Sequence, residues 1–241
     1  MTLILGSRCS DGVVLVADKI VTNQTDGLNF YFAEKLFSVL HNVVIGSSGS
    51  SGNFELFRNH IAAYINRNQT KANVNEILLT LSSQTYALNE RYRSRHSSAI
   101  FDILVGIGHK DKPATLTYLN SFGLLNPEAK YRLIGSGSRY AKTFLERIWN
   151  RDMTMAKVAE IGYFVIKYIE ELKLDHTVGL DTRGPQIWFI PDHYAKNIAQ
   201  NERKKDIVRQ ADNQEMNDFA ERVKKRLDNY NKFIDGLFVD S

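Results

Sequence analysis

A chain of 241 residues, 43% hydrophobic with only four prolines, is long enough to bury a sizeable core. Its net charge is only +4, with Lys and Arg interleaved with Asp and Glu and no recognition motif beside them, which excludes nucleic acid as the expected partner. The one cysteine excludes an intrachain disulfide, and no charged-then-apolar leader or apolar run near the ~18 residues of a membrane helix is present, so the expectation is a cytoplasmic protein that engages no membrane.

In chain order, Leu3 to Cys9 and Val13 to Ala17 read as two strands joined through Ser10-Asp11-Gly12, since Asp-Gly between apolar runs is a short hairpin signal. If Asp11 and Gly12 fill the turn, Val21 falls opposite Thr2, so the second strand ends beside the start of the chain. Asp18 closes the apolar run, either as a surface residue ending a strand or as a carboxylate that needs a partner. Cys9 reads as a strand residue, not a reactive thiol. Leu36 to Leu40 and Val43 to Ile45 form a second hairpin turning at His41-Asn42, with Lys35 opposite Ser48. The loop Gly46-Ser47-Ser48-Gly49-Ser50-Ser51-Gly52 has the composition of a flexible linker, yet a strand precedes it and a helix follows from Asn53, with Phe54, Phe57, Ile61 and Ile65 at helical spacing.

A second helix is expected over 73–95, with Val74, Ile77, Leu78, Leu81, Tyr86 and Leu88 on its apolar face. Strands return over 100–108, 114–119 and 131–134. Asp102 reads as an outward-facing or hydrogen-bonded acid without a catalytic part. Gly135-Ser136-Gly137-Ser138 opens a helix over 140–149 and lacks the Lys-Ser or Lys-Thr pair of a phosphate loop, so small residues for close packing are the better reading. A helix over 155–172 carries Val158, Ile161, Phe164, Val165, Tyr168 and Ile169, and a strand follows over 186–190. Beyond residue 190 the chain is dense in mixed charge. Met216, Ala220, Val223, Leu227, Tyr230, Ile234 and Leu237 form a stripe suited either to packing on its own domain or to a subunit contact. The six histidines show no close metal spacing.

The chemistry begins at Thr2. An initiator Met before a small residue is the kind that is trimmed, leaving a hydroxyl and a free amine on one residue. An α-amino group has a pKa of roughly 8, so it is partly neutral near pH 7 and can take the hydroxyl proton. A lysine beside an acid and a second amine keeps that amine neutral and eases proton transfer. Backbone amides of the Gly/Ser loop, backed by a helix start, suit a developing oxyanion.

Thr2, DGVVLVAD, EKLF, SSGSS and GSGS followed by Tyr140-Ala141 together resemble the β-type subunits of the 20S proteasome, within the N-terminal nucleophile hydrolases, over residues 2 to 190. The resemblance implies an α+β, four-layer αββα sandwich over 1–190; beyond it, charge and helical spacing point to a helical, charged C-terminal extension over 191–241. It implies that Thr2 is the nucleophile, with Asp18 and Lys35 as its acid and lysine, and that the Gly49 amide helps hold the oxyanion. Ser136 and Asp175 match residues that support the terminal amine, and Ala33, Ser47 and Ser51 match those lining the pocket for the residue before the cut bond; all three are small, so a roomy, uncharged pocket is expected.

The implied activity is threonine-type peptide cleavage through an acyl-enzyme, with no metal or organic cofactor required. Its partners would be peptide or unfolded protein, further copies in an oligomer or stacked ring, and an α-type ring or an ATPase. Acyl transfer to an amine and a non-catalytic ring subunit are the alternatives. Two departures stand out: Leu3 follows the nucleophile where the family usually has a small residue or Thr, and Val178 stands where it usually has a serine, removing one hydroxyl. His176 would replace that hydroxyl if it approached the Thr2 amine. No propeptide precedes Thr2, so loss of Met1 would suffice for maturation and a chain retaining Met1 should be inactive.

Overall fold

The computed structural model describes residues 2–22, 30–49, 51–67, 74–93, 102–193 and 208–238, and within these leaves aside the side chains of 30, 51–54, 56, 65–67, 88, 92–93 and 233–238. Twelve strands and five helices are described. The strands are β1 (Ile4–Arg8), β2 (Gly12–Ala17), β3 (Ile20–Thr22), β4 (Phe30–Phe32), β5 (Leu36–Leu40), β6 (Val43–Ser48), β7 (Asp102–Ile107), β8 (Thr115–Leu119), β9 (Leu125–Glu128), β10 (Tyr131–Ile134), β11 (Gln186–Pro191) and β12 (Arg209–Gln210). The helices are α1 (Ser51–Arg67), α2 (Val74–Arg93), α3 (Ser138–Ile148), α4 (Met155–Glu171) and α5 (Asn213–Phe238).

One sheet has the order β10-β1-β2-β11-β12 and the other β5-β6-β7-β8-β9, with β3 and β4 forming a separate two-stranded ribbon. Strand alternation sorts the apolar side chains into three buried layers. Val14, Val16, Ile187 and Phe189 face α3, α4 and α5. Ile4, Val13, Leu15 and Ala17 meet Leu36, Val44, Leu104 and Leu116 between the sheets. Val43, Ile45, Ile103 and Val105 face Phe57 and Ile61 of α1 and Ile77 and Leu81 of α2. Each fully buried aliphatic or aromatic side chain contributes roughly 1.5–3 kcal/mol of transfer free energy. The result is the expected α+β αββα sandwich.

Both N-terminal hairpins turn where expected but with a different register. In the first, Ile4 pairs with Ala17 and Arg8 with Val13, so Ser10 and Asp11 form the turn, Asp18 lies opposite Leu3, and Val21 is not opposite Thr2. Tertiary contacts decide this. The Asp11 carboxylate accepts from Met155 N–H, its carbonyl accepts from Asp192 N–H, and a Cβ on Gly12 would lie 2.4 Å from the Ile190 carbonyl oxygen. In the second hairpin Leu40 pairs with Val43 but Leu36 with Gly46, because the register shifts between Ser38 and Leu40. The shift sets Lys35 against Ser47, whose N–H reaches the Lys35 carbonyl, and not against Ser48.

The Gly/Ser segment is mostly regular: β6 runs to Ser48 and α1 starts at Ser51, leaving only a short connection at Gly49. Gly46 belongs to the strand, paired with Leu36 and Leu104, and a Cβ there would meet Leu36 Cδ2 at 2.5 Å. On α2, Tyr86 is 50% exposed and is not on the apolar face; Thr85 and Asn89 turn inward beside Ile77 and Leu81. Phe54, Ile65, Leu88, Ile234 and Leu237 lie outside the described side chains. Cys9 is buried, and burial pushes its thiol pKa up to about 12, which makes it inert. The Asp102 carboxylate accepts from the Tyr118 hydroxyl.

α4 is buried on two sides. Gly162 lets it approach β2 so closely that a Cβ would touch Val16 at 3.0 Å. On the opposite side α5 lays Phe219, Val223 and Leu227 into the same apolar layer. Buried Glu160 accepts from Arg222 and Arg226 of α5, at 2.8 and 2.7 Å, and the Tyr168 and Tyr230 hydroxyls meet at 3.2 Å. The described part of the stripe, from Met216 to Tyr230, therefore packs on its own fold, and β12 adds to the first sheet beside β11. Among the described residues, no helix is long and apolar enough to cross a membrane.

Candidate active site

The site forms where the first strand begins. Thr2 is 4% exposed, and the β10–α3 turn wraps its backbone: Gly137 N–H donates to the Thr2 carbonyl at 3.3 Å. Gly135 has φ +94°, and a Cβ there would lie 2.0 Å from the Thr2 carbonyl oxygen, so both conformation and contact demand glycine. Gly137, in ordinary helical conformation, is constrained by contact alone, since a Cβ would meet the Val178 side chain at 2.7 Å and that of Leu3 at 3.0 Å. The GSGS segment is thus a close-packed strand-to-helix turn, as its small residues suggest.

Asp18, fully buried, is held at the end of β2. Its Oδ1 accepts from Leu3 N–H at 2.8 Å and from Lys35 Nζ at 2.7 Å, while Oδ2 accepts from Ile20 N–H at 3.2 Å and Gly179 N–H at 3.5 Å. One carboxylate oxygen therefore joins the lysine to the residue after Thr2. The ladder adds a return bond, from Asp18 N–H to the Leu3 carbonyl.

Lys35 also donates to the Ile20 carbonyl at 2.5 Å. Burial pushes the Asp18 carboxyl up and the Lys35 ammonium down, against their mutual attraction. Burial thus drives each toward its neutral form.

Sequence reasoning missed Gln186, which is 1% exposed. From β11 its side-chain carbonyl accepts from the N–H groups of Lys35 and Leu36 at 2.6 and 2.9 Å, and its amide donates to the Leu36 carbonyl at 3.1 Å. It pins the lysine's backbone across the two sheets. The only signal in the sequence is one amide at the head of an apolar strand.

Ser136 and Asp175 are brought together, but through a residue the sequence reading did not name. The Thr177 hydroxyl lies 2.5 Å from Asp175 Oδ1 and 3.0 Å from the Ser136 hydroxyl, and Thr177 N–H also donates to Asp175 Oδ1 at 3.0 Å. Burial would raise the Asp175 pKa. The hydroxyl and N–H of Thr177, then the Ser136 hydroxyl and the His176 charge, outweigh it and hold the carboxyl below its usual range. His176 is exposed, and the hydroxyl that joins Ser136 to Asp175 is that of Thr177. Val178 is 2% exposed and packs with the apolar layer that includes Leu3.

Gly49 directly follows β6, two residues before α1 begins, with φ +128°, a conformation that favours glycine. Ser47 is buried beside Lys35, and Ala33 N–H donates to the Lys19 carbonyl next to Asp18. The Ser51 side chain and Met1 lie outside the described residues. The grooves beside β10 and between α4 and α5 are lined by other residues. Among the described residues, no group of three His, Cys, Asp or Glu is placed to hold a metal.

A family profile described as "Proteasome subunit" matches residues 2–176. The proteasome subunit beta of Methanococcus aeolicus is 28% identical over 156 residues, covering 65% of this chain and 70% of its own length. The proteasome subunit alpha of Methanococcus maripaludis strain C5 is 26% identical over 181 residues, covering 71% of this chain and 66% of that protein. Among solved structures, the Gly-1 mutant of Anbu, an ancestral beta-subunit, from Hyphomicrobium sp. strain MC1 superposes with TM-score 0.68 over 96% of this chain and 97% of that one, at 17% identity, a likeness of fold alone. With the profile spanning most of its length, the chain belongs to the proteasome subunit family, as a divergent member.

Proposed function

We propose that the chain is a threonine-type peptidase acting from Thr2 once Met1 is removed. The Thr2 hydroxyl attacks a peptide carbonyl and its own amine accepts the proton, then returns it to the leaving amine. Lys35 and Asp18 tune that transfer. The Gly49 amide holds the tetrahedral oxyanion, and Ser136 with Asp175 steadies the terminal amine. Water then releases the acyl group from the threonine ester. Ala33, Ser47 and Ser51 line a roomy, uncharged pocket for the residue before the cut bond. The setting is the cytoplasm, in an oligomer or stacked ring that admits peptide or unfolded protein.

One observation carries the reading: the buried Lys35–Asp18 pair is fastened by its shared oxygen to the N–H of Leu3, immediately after the proposed nucleophile. A surface strand-ending acid would have neither burial nor partner. The family membership supports the same assignment.

The test is intact mass and fluorogenic peptide cleavage of the purified chain and its Thr2→Ala variant. The expected result is a mass lacking Met1, one epoxyketone adduct on the native chain, and neither adduct nor cleavage in the variant. A Thr2→Ala variant that cleaves as well as the native chain would refute the reading and point to a non-catalytic subunit. Peptide products carrying an added amine would mark acyl transfer in place of hydrolysis.

A further inference from the structure

We propose that Thr177 is a positioning residue, whose hydroxyl fills the gap left by Val178 and fixes the direction of the hydrogen bond made by Ser136. The inference rests on the peptidase reading above.

The argument is a count of protons. A threonine hydroxyl carries one, and an ionised carboxylate only accepts. At 2.5 Å from Asp175 Oδ1, the Thr177 proton points at the carboxylate. The Ser136 hydroxyl, 3.0 Å from the Thr177 hydroxyl, can then only donate in this cluster, to Thr177 or to the Asp175 carboxylate that it also helps hold low. Its lone pairs are left to accept from elsewhere, and Ser136 belongs to the turn that encloses the Thr2 carbonyl. An ammonium at Thr2 has protons to give and no lone pair, so a serine whose proton is already committed is the form that can receive one.

Thr177 itself has little freedom. It is 1% exposed, and its N–H shares Asp175 Oδ1 with its hydroxyl. Its neighbour is committed to the apolar layer: Val178 sits where a Cβ on Gly137 would strike it, beside Leu3. One of the two residues faces the hydroxyl chain and the other faces the core, and here the polar one is 177.

The charged groups that bear on Asp175 are His176 and Lys35, the latter paired to Asp18. Removing the Thr177 hydroxyl takes away the strongest influence holding Asp175 below the usual carboxylate range, so its protonation moves to higher pH.

The experiment compares native chain, Thr177→Val, Thr177→Ser and Thr2→Ala in peptide cleavage across pH, with circular dichroism to verify folding. Losing a hydrogen bond to a charged group predicts a fall in kcat of order tenfold to a hundredfold for Thr177→Val, with KM little changed. The acid limb of its kcat profile moves to higher pH. Thr177→Ser should regain activity within about threefold and keep the native acid limb, which mere loss of packing does not predict. Should Thr177→Val fail to fold, Thr177→Cys, similar in size but a weak donor, must fall below Thr177→Ser in kcat. A folded Thr177→Val, or a Thr177→Cys in its stead, with native kcat and an unmoved acid limb, while Thr2→Ala is dead, overturns this inference alone. Cleavage by Thr2→Ala overturns the parent reading and this inference with it.

Discussion

Replacing Lys35 by methionine keeps most of the side chain's volume and removes its charge, leaving Asp18 ionised in a site with no exposed surface. Three backbone N–H groups still face the carboxylate, from Leu3, Ile20 and Gly179, so the loss sits at the lower end of what breaking a buried pair costs, about 3 kcal/mol. For a chain of this length that corresponds to a fall in Tm of roughly 6–12 °C. Burial already pushes the Asp18 pKa up, and without the lysine nothing of comparable strength opposes it. A carboxyl raised above its unfolded value is stabilising below the unfolded pKa, and that contribution is lost as pH rises through the folded pKa. The deficit of Lys35→Met relative to the native chain should therefore be larger near about pH 8 than near about pH 5. Differential scanning calorimetry of both proteins at the two pH values measures it. The double variant Asp18→Asn with Lys35→Met should recover part of the loss, since no buried charge remains unpaired. A deficit of equal size at both pH values, or one under about 1 kcal/mol, would show that Asp18 is not a buried carboxylate dependent on Lys35.

Gly135→Ala places a Cβ at 2.0 Å from the Thr2 carbonyl oxygen at φ +94°, so it should cost about 2–4 kcal/mol and abolish the epoxyketone adduct although Thr2, Asp18 and Lys35 are untouched; urea denaturation and intact mass check the two halves. Glu160→Gln should loosen α5. Burial would raise the Glu160 pKa, but the hydrogen bonds from Arg222 and Arg226 hold it low, so its contribution is present above the unfolded pKa and lost as pH falls through the folded one. Both arginines are about half exposed, and with that screening the expected effect is about 1 kcal/mol, read as faster amide exchange over 219–227 that converges with the native chain in acid.

Of the positions named from sequence, Asp18, Lys35 and the turn that carries Ser136 lie around the start of β1, and each is marked locally. An acid ending an apolar run, a lysine before a hairpin, and glycines between a strand and a helix are visible within a few residues. Exact partners were not visible. The first hairpin's register depends on Asp11 meeting Met155 and Asp192, and on Gly12 meeting Ile190, all remote in the chain. The second depends on an irregularity between Ser38 and Leu40 that periodicity does not encode. Gln186 and Thr177 looked like ordinary polar residues in a strand and a loop.

The sequence by itself marked eight of the twelve described strands and all five helices, and pointed to side chains that could carry chemistry, because period, turn residues and charge placement act over a few neighbours; the short strands β3, β4, β9 and β12 carry too little pattern to be read that way. Only the tertiary structure decided that Asp18 lies opposite Leu3, that Thr177 and not His176 completes the chain from Ser136 to Asp175, and that α5 covers α4. Strand register and loop direction are set by contacts between distant parts of the chain, and a shift of one residue, which barely alters the local pattern, turns every side chain to the other face.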